Sequence, residues 1–267
     1  VPQGATRLAL GVVGLNTSAG FFLATVSPDA PATPVLQRSG VTRTAGFGAG
    51  GLASGSIASL FGMNFAASTE SATSVPLPTQ IGQTRVYFNL RPAPLYFTSA
   101  GQLNAQVPWE LSNETSAQVV VVRNGAASLP VPVQLTPASP GIFLVRENAG
   151  VVVNTATGQL VDSQNGIQRG QAMVIYASGL GAVNATVSSD VPASATELEP
   201  TRERVEAMLS VAGQEIALSV LFAGSAPGFI GVNQVNVLIP TETPQGVASF
   251  RLRTSGQESN TVQFAVQ

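Results

Sequence analysis

The chain has 267 residues and a formal net charge of −2, with only 10% charged residues against 44% hydrophobic ones. Histidine, cysteine and lysine are absent, and every basic residue is an arginine. That excludes Ser–His and Cys–His nucleophiles, Schiff-base lysines and the usual zinc, haem and iron–sulfur sites. The scattered arginines give no electrostatic footprint for nucleic acid. No apolar run approaches the ~18 residues of a membrane-spanning helix.

The first predicted element is a β-hairpin over residues 1–27. Leu8, Leu10 and Val12 alternate with Arg7, Ala9 and Gly11, and Phe22, Ala24 and Val26 share one face of the second strand. A lone two-stranded hairpin is marginal in water. Leu8, Leu10, Val12, Phe22 and Val26 are therefore candidate interaction residues in search of a sheet edge or core. Three readings stay open: docking on another copy of the chain, docking within the chain, and the stump of a further domain. The segment resembles the last two strands of galactophilic-lectin-like sandwich domains. Its short loop Val12-Val13-Gly14-Leu15 has no Asp, so no calcium or sugar ligands carry over. Residues 28–40, with Pro28, Pro31 and Pro34, read as an extended, semi-rigid linker. The glycine-rich run Gly46–Gly51 lacks the Lys and the following helix that a phosphate loop needs, and reads as a flexible loop leading into the first domain.

Short β-branched or alternating runs follow: Ala117–Arg123, Leu129–Leu135, Ala172–Ala177, Ile216–Phe222, Gln234–Ile239 and Val247–Arg253. Gly, Pro and Asn clusters separate them, and Asn124-Gly125 is a hairpin signal. The one helical candidate, Glu197–Leu209, carries Val205, Ala207, Leu209 and Val211 at period two, which predicts a half-buried strand. An internal repeat organises these elements. Gln102-Leu-Asn-Ala-Gln-Val-Pro108 recurs as Gln234-Val-Asn-Val-Leu-Ile-Pro240, Gly55–Phe65 matches Gly170–Leu180, and Ala117–Leu135 matches Ala248–Val266. The expected fold is all-β: two tandem immunoglobulin-like β-sandwiches at 41–136 and 137–267, preceded by the hairpin and linker.

The ordered phrases around Gly55–Phe65, Pro94–Leu111, Ala138–Phe143, Arg169–Val183, Val220–Pro240 and Ser259–Val266 closely resemble the Solibacter-type C-terminal domain, over about 41–267. The resemblance implies a tandem module of the immunoglobulin-like (IPT/TIG-like) fold at the end of exported bacterial proteins. It brings no enzymatic activity, no cofactor and no catalytic residues.

Within the repeat, Asn104 and Asn236 are expected to hydrogen-bond backbone groups of a neighbouring turn, fastening equivalent corners of the two sandwiches. Glu110 and Glu114, with Asn113 between them, read as a solvated turn or a calcium-binding loop. Asp162-Ser163-Gln164-Asn165-Gly166 has turn chemistry, with a weak metal loop as the alternative. No spacing of carboxylates argues for a glycosidase pair. Phe61, Phe65, Tyr87, Phe88, Tyr96, Phe97 and Trp109 crowd the first repeat as core residues or as a sugar-stacking platform. Asn16, Asn113 and Asn184 lie in N-glycosylation sequons. Together these features point to a non-enzymatic structural or interaction protein, exported to the cell surface or extracellular space. Its expected partners are proteins, either itself or a neighbouring surface protein, with assembly into fibres through the hairpin. A carbohydrate-binding or accessory module of a larger secreted protein is the alternative.

Overall fold

In the computed structural model of the chain, the described residues are 7–11, 21–25, 33–48 and 50–267, the first two runs by their backbone alone. The chain divides into two units, Val1–Thr33 and Pro34–Gln267. In the first, β1 (Arg7–Gly11) and β2 (Phe21–Thr25) pair antiparallel as a two-stranded sheet. Leu10 stands opposite Phe22 in the register, and Leu8 opposite Ala24. Val12 and Val26 lie outside the described residues.

The second unit holds two apolar cores. Around the first lie β3 (Val35–Arg43), β4 (Ile57–Met63), β5 (Glu70–Ser71), β6 (Thr84–Phe88), β7 (Arg91–Pro92), β8 (Leu95–Thr98), β9 (Gln102–Gln106), β10 (Ser116–Arg123), β11 (Ala126–Ala127) and β12 (Val131–Gln134). One sheet runs β3-β4-β9-β8-β5; the other runs β11-β10-β6-β7, with β12 also paired to β10. Period-two side chains from both sheets meet between them. Leu60, Leu103, Phe88, Val119 and Val121 are fully buried there.

The second core is bounded by β13 (Gly141–Ile142), β14 (Leu144–Arg146), β15 (Ala149–Gly150), β16 (Val152–Asn154), β17 (Ala172–Ser178), β18 (Glu206–Val211), β19 (Gln214–Ser225), β20 (Asn233–Leu238), β21 (Gly246–Thr254), β22 (Gln257–Glu258) and β23 (Val262–Val266). Here β19 belongs to both layers. Its first residues pair with β18 and its later ones with β20, with a register shift between Val220 and Phe222. One long strand therefore turns the corner of the sandwich. Phe250 and Phe264 meet in the core with ring centroids 6.1 Å apart.

The protein is thus all-β, two tandem immunoglobulin-like sandwiches with an N-terminal hairpin. The period-two reading of Val205–Val211 corresponds to β18, whose Ala207, Leu209 and Val211 are buried. Asn124 and Gly125 both take positive φ, 50° and 78°, between β10 and β11, as a type I′ hairpin turn requires. Within the described residues, 33–40 differ from their reading as part of a linker. Val35–Arg43 is a strand whose Val35 and Leu36 pair with Met63 and Gly62 of β4. Leu36 is buried, and burying it against the first core outweighs the freedom that a linker would keep.

The two repeats agree residue by residue. Asn104 pairs with Ser59 and Asn236 with Val174, and these partners are equivalent positions in the repeat. Gly55 and Gly170, also equivalent, have φ of 77° and 79°. The turns Asn124-Gly125 and Ser255-Gly256 match in place and in positive φ.

The expectation for Asn104 and Asn236 needs correction. Among the described residues neither carboxamide bonds the backbone of a turn. The Asn104 Oδ1 accepts from Gln102 Nε2 at 3.0 Å and from Ser59 Oγ at 3.1 Å. The Asn236 Oδ1 accepts from Gln234 Nε2 at 2.9 Å. Both residues lie mid-strand, where the ladder already uses the neighbouring backbone groups, so each amide meets the next side chain on its own face, two residues away.

Candidate functional site

The place where polar chemistry collects is the junction between the two sandwiches. Several bonds cross it. Arg43 Nη1 donates to the Pro140 carbonyl at 2.5 Å, and the Ser139 hydroxyl donates to the Gly51 carbonyl at 2.6 Å. The Ile57 amide donates to Ser178 Oγ at 3.2 Å, and the Tyr96 hydroxyl donates to the Ile230 carbonyl. Burial at this contact pushes the Tyr96 phenol well above its ordinary pKa, so it stays a donor. Gly46 and Gly51, from the run read as a flexible loop, belong to the same contact. A Cβ on Gly46 would fall 2.3 Å from Asn260 Oδ1, so its backbone lies hard against the second sandwich.

A long connection from β17 to β18 reaches back across the junction. Its Asp190 amide donates to Gln106 Oε1 at 2.8 Å, and the Asp190 carbonyl accepts from the Leu77 amide at 2.9 Å. Beside it, Ser189 Oγ accepts from the Trp109 amide and donates to Glu110 Oε2, both at 2.9 Å. Glu110, considered above as part of a calcium loop, is thus a junction acceptor. Among the described residues no group of three or more acidic side chains is placed to hold a metal ion. Asp162 likewise closes a turn. Its carboxylate accepts from the Gln164 and Asn165 amides and from Arg146, each at 2.8 Å, and these bonds, that from Asn165 foremost, hold its pKa down at about 2.

Asp190 has a φ of 70°, and its carboxyl pKa is raised by desolvation first and by the Glu110 charge second. A carboxyl that holds its proton more tightly folded than unfolded adds stability at low pH. That advantage is lost as pH climbs through the raised value. Asn tolerates positive φ and carries no charge. Asp190→Asn is therefore expected to raise the melting temperature at neutral pH and to leave it unchanged well below the ordinary carboxylate range. Equal melting temperatures for both proteins at neutral pH would contradict this role for the Asp190 charge.

Between the sandwiches these contacts leave a cleft of about 240 Å³. Trp109, Gly55, Ser56 and Gln106 line it from the first sandwich; Ser188, Val191, Glu199, Ser225, Phe229 and Asn233 line it from the second. The Trp109 ring lies so close to Gly55 that a Cβ there would sit 2.2 Å from it. Ser225 and Asn233 face each other across β19 and β20, so the pleat turns both side chains to the same side.

None of the interaction candidates singled out on the two sandwiches lines this cleft. Leu8, Leu10 and Phe22 stand on β1 and β2, and Asn104 and Asn236 lie on separate sandwiches. Of the crowded aromatics, Phe65 and Phe88 are core, Tyr96 ties the junction, and Trp109 lines the cleft. Apart from Trp109, the cleft residues were missed because they come from strand ends (Gln106, Ser225 and Asn233), from turns and from a long connection, where periodicity carries no signal. The single tryptophan of the chain was the one signal available.

No protein-family model matches the chain, and no curated protein matches it. Among solved structures it is similar to the Bacteroides ovatus mixed-linkage glucan utilization locus protein SGBP-B in complex with a mixed-linkage heptasaccharide, at 14% identity and a TM-score of 0.31, over 98% of this chain and 53% of that one. The Escherichia coli adhesin FdeC matches at 11% identity and a TM-score of 0.27, over 98% and 74%. Domains 5–6 of the S-layer protein SbsC match at 12% identity and a TM-score of 0.27, over 87% and 98%. The chain spans about half the length of the first of these. The fold rests on the strand pairings above.

Proposed function

We propose that the protein is a non-enzymatic structural and interaction module, exported to the cell surface or extracellular space, that joins head to tail with other copies through its N-terminal hairpin. The observation that carries the reading is the junction. Side-chain and backbone bonds from Arg43, Ile57, Tyr96, Gln106, Ser139 and Asp190 tie the two sandwiches into one stiff unit. Stiffness of that kind suits spacing and presentation. The repeated sandwiches at 41–136 and 137–267, and the motif order that resembles the Solibacter-type C-terminal domain, support the exported location. The absence of His, Cys and Lys from the sequence supports the non-enzymatic reading.

The hairpin supplies the contact. A two-stranded sheet is marginal by itself, and the edge of a sandwich offers unpaired N–H and C=O groups for strand addition. A hairpin that adds to the edge of the next copy makes a heterologous contact, which propagates into a fibre unless it closes into a ring.

Light scattering and electron microscopy of the full chain, beside a chain beginning at Pro34, test this. The full chain is expected to form concentration-dependent filaments or rings, and the shortened chain to stay monodisperse. Two monodisperse monomers at high concentration overturn the assembly.

A further inference from the structure

We propose that the cleft between the two sandwiches binds one ring of a neutral saccharide. It goes beyond the structural role above and does not depend on assembly. The first observation is a pair of polar groups that open into the cleft without protein partners among the described residues. Ser225 and Asn233 are only 9% and 7% exposed. The Asn233 Oδ1 accepts from the Leu180 amide at 3.1 Å, while its Nδ2 and the Ser225 hydroxyl make no hydrogen bond among the described residues. Neither atom is sealed from solvent, and both residues line the cleft. A hydroxyl and an amide N–H2 open to the floor of a cleft are placed to meet a ligand's hydroxyls.

The second observation is the apolar complement. Trp109 and the 54% exposed Phe229 also line the cleft. Aromatic faces beside a few polar groups suit a ring that presents C–H on its faces and hydroxyls at its edge. The indole N–H of Trp109 has no partner among the described residues, and neither does the Ser188 hydroxyl.

Charge selects among ligands. No arginine lines the cleft, and its one charged lining residue is Glu199. An anionic ligand would meet that carboxylate with no compensating cation, and a neutral one has no such cost. Size selects further. At about 240 Å³, the cleft falls just below the ~300–1,000 Å³ of pockets that enclose drug-sized ligands. It accommodates a terminal ring rather than a run of a polysaccharide.

Trp109 is the only tryptophan in the chain, so its fluorescence reports on this cleft alone. The test titrates the full chain with neutral monosaccharides and short oligosaccharides (glucose, galactose, mannose, N-acetylglucosamine and their oligomers), with glucuronate and sialic acid as anionic comparisons. The expected result is a saturable change with at least one neutral sugar and none with the anionic ones. Ser225→Ala and Phe229→Ala should each weaken that binding about tenfold, the size of one lost hydrogen bond or ring contact. Both are gentle substitutions: one removes a single oxygen and the other an exposed ring. Far-ultraviolet circular dichroism checks that they fold. No response to any neutral sugar overturns the proposal. Binding that both variants leave unchanged overturns the site, and a preference for the anionic sugars overturns the ligand class.

Discussion

Gly179→Ala is expected to destabilise the protein by about 3 kcal/mol and to loosen the junction of the two sandwiches. Gly179 follows β17 with a φ of 80°, a conformation that costs an L side chain roughly 1–2 kcal/mol. A Cβ there would also sit 2.2 Å from the Ser139 carbonyl oxygen. That oxygen belongs to a backbone held from two directions. The Ser139 amide donates to the Gly179 carbonyl at 2.8 Å, and its hydroxyl donates to Gly51 of the first sandwich at 2.6 Å. The neighbour cannot give way without stretching one of these bonds, so overpacking adds about 1–3 kcal/mol. Asn64 holds the equivalent place in the first repeat with a φ of 60°, which identifies the control. Gly179→Asn should recover most of the conformational part and none of the steric part. Urea denaturation of the three proteins separates the two contributions, and an unchanged midpoint for Gly179→Ala contradicts the close packing at Ser139.

Ser128→Ala and Ser259→Ala should each cost about 1–3 kcal/mol, the loss that follows when a buried donor is left without its acceptor. The Ser128 Oγ accepts from the Val121 amide at 3.1 Å and donates to the Leu129 carbonyl at 3.0 Å. Its counterpart Ser259 accepts from the Leu252 amide at 2.9 Å and donates to the Asn260 carbonyl at 2.7 Å. Val121 and Leu252 are fully buried, so water cannot easily replace the lost oxygen. The two serines belong to different sandwiches, and their effects should add in the double variant. Denaturation midpoints that move by less than the equivalent of about 0.5 kcal/mol would place these hydroxyls among ordinary surface groups.

Those serines show where sequence reading stops. The repeat aligns Ser128 with Ser259, yet a serine in a polar turn looks the same whether it faces water or caps a buried amide. Strands and turns were legible because their causes are local. Alternation at Val205, Ala207, Leu209 and Val211 follows from the two-residue period of a pleat, and Asn124-Gly125 specifies its own turn through positive φ. The two-sandwich fold was legible for a related reason: the repeat states the same local pattern twice.

What the tertiary structure alone decided depends on partners distant in the chain. Val35–Arg43 became a strand because β4 lay beside it and the first core took Leu36, a gain that no window around Pro34 contains. Asn104 and Asn236 bonded their strand neighbours because the ladder had already consumed the backbone around them. The run of β19 through both layers hinges on a register shift at Val220–Phe222, where an unpaired residue reverses which face points inward. The cleft is the fullest case. Trp109, Ser225, Phe229 and Asn233 come from two sandwiches and several connections. Hydrophobic periodicity marks what a segment buries in its own layer; it holds no record of which polar groups are left facing each other when two finished sandwiches meet.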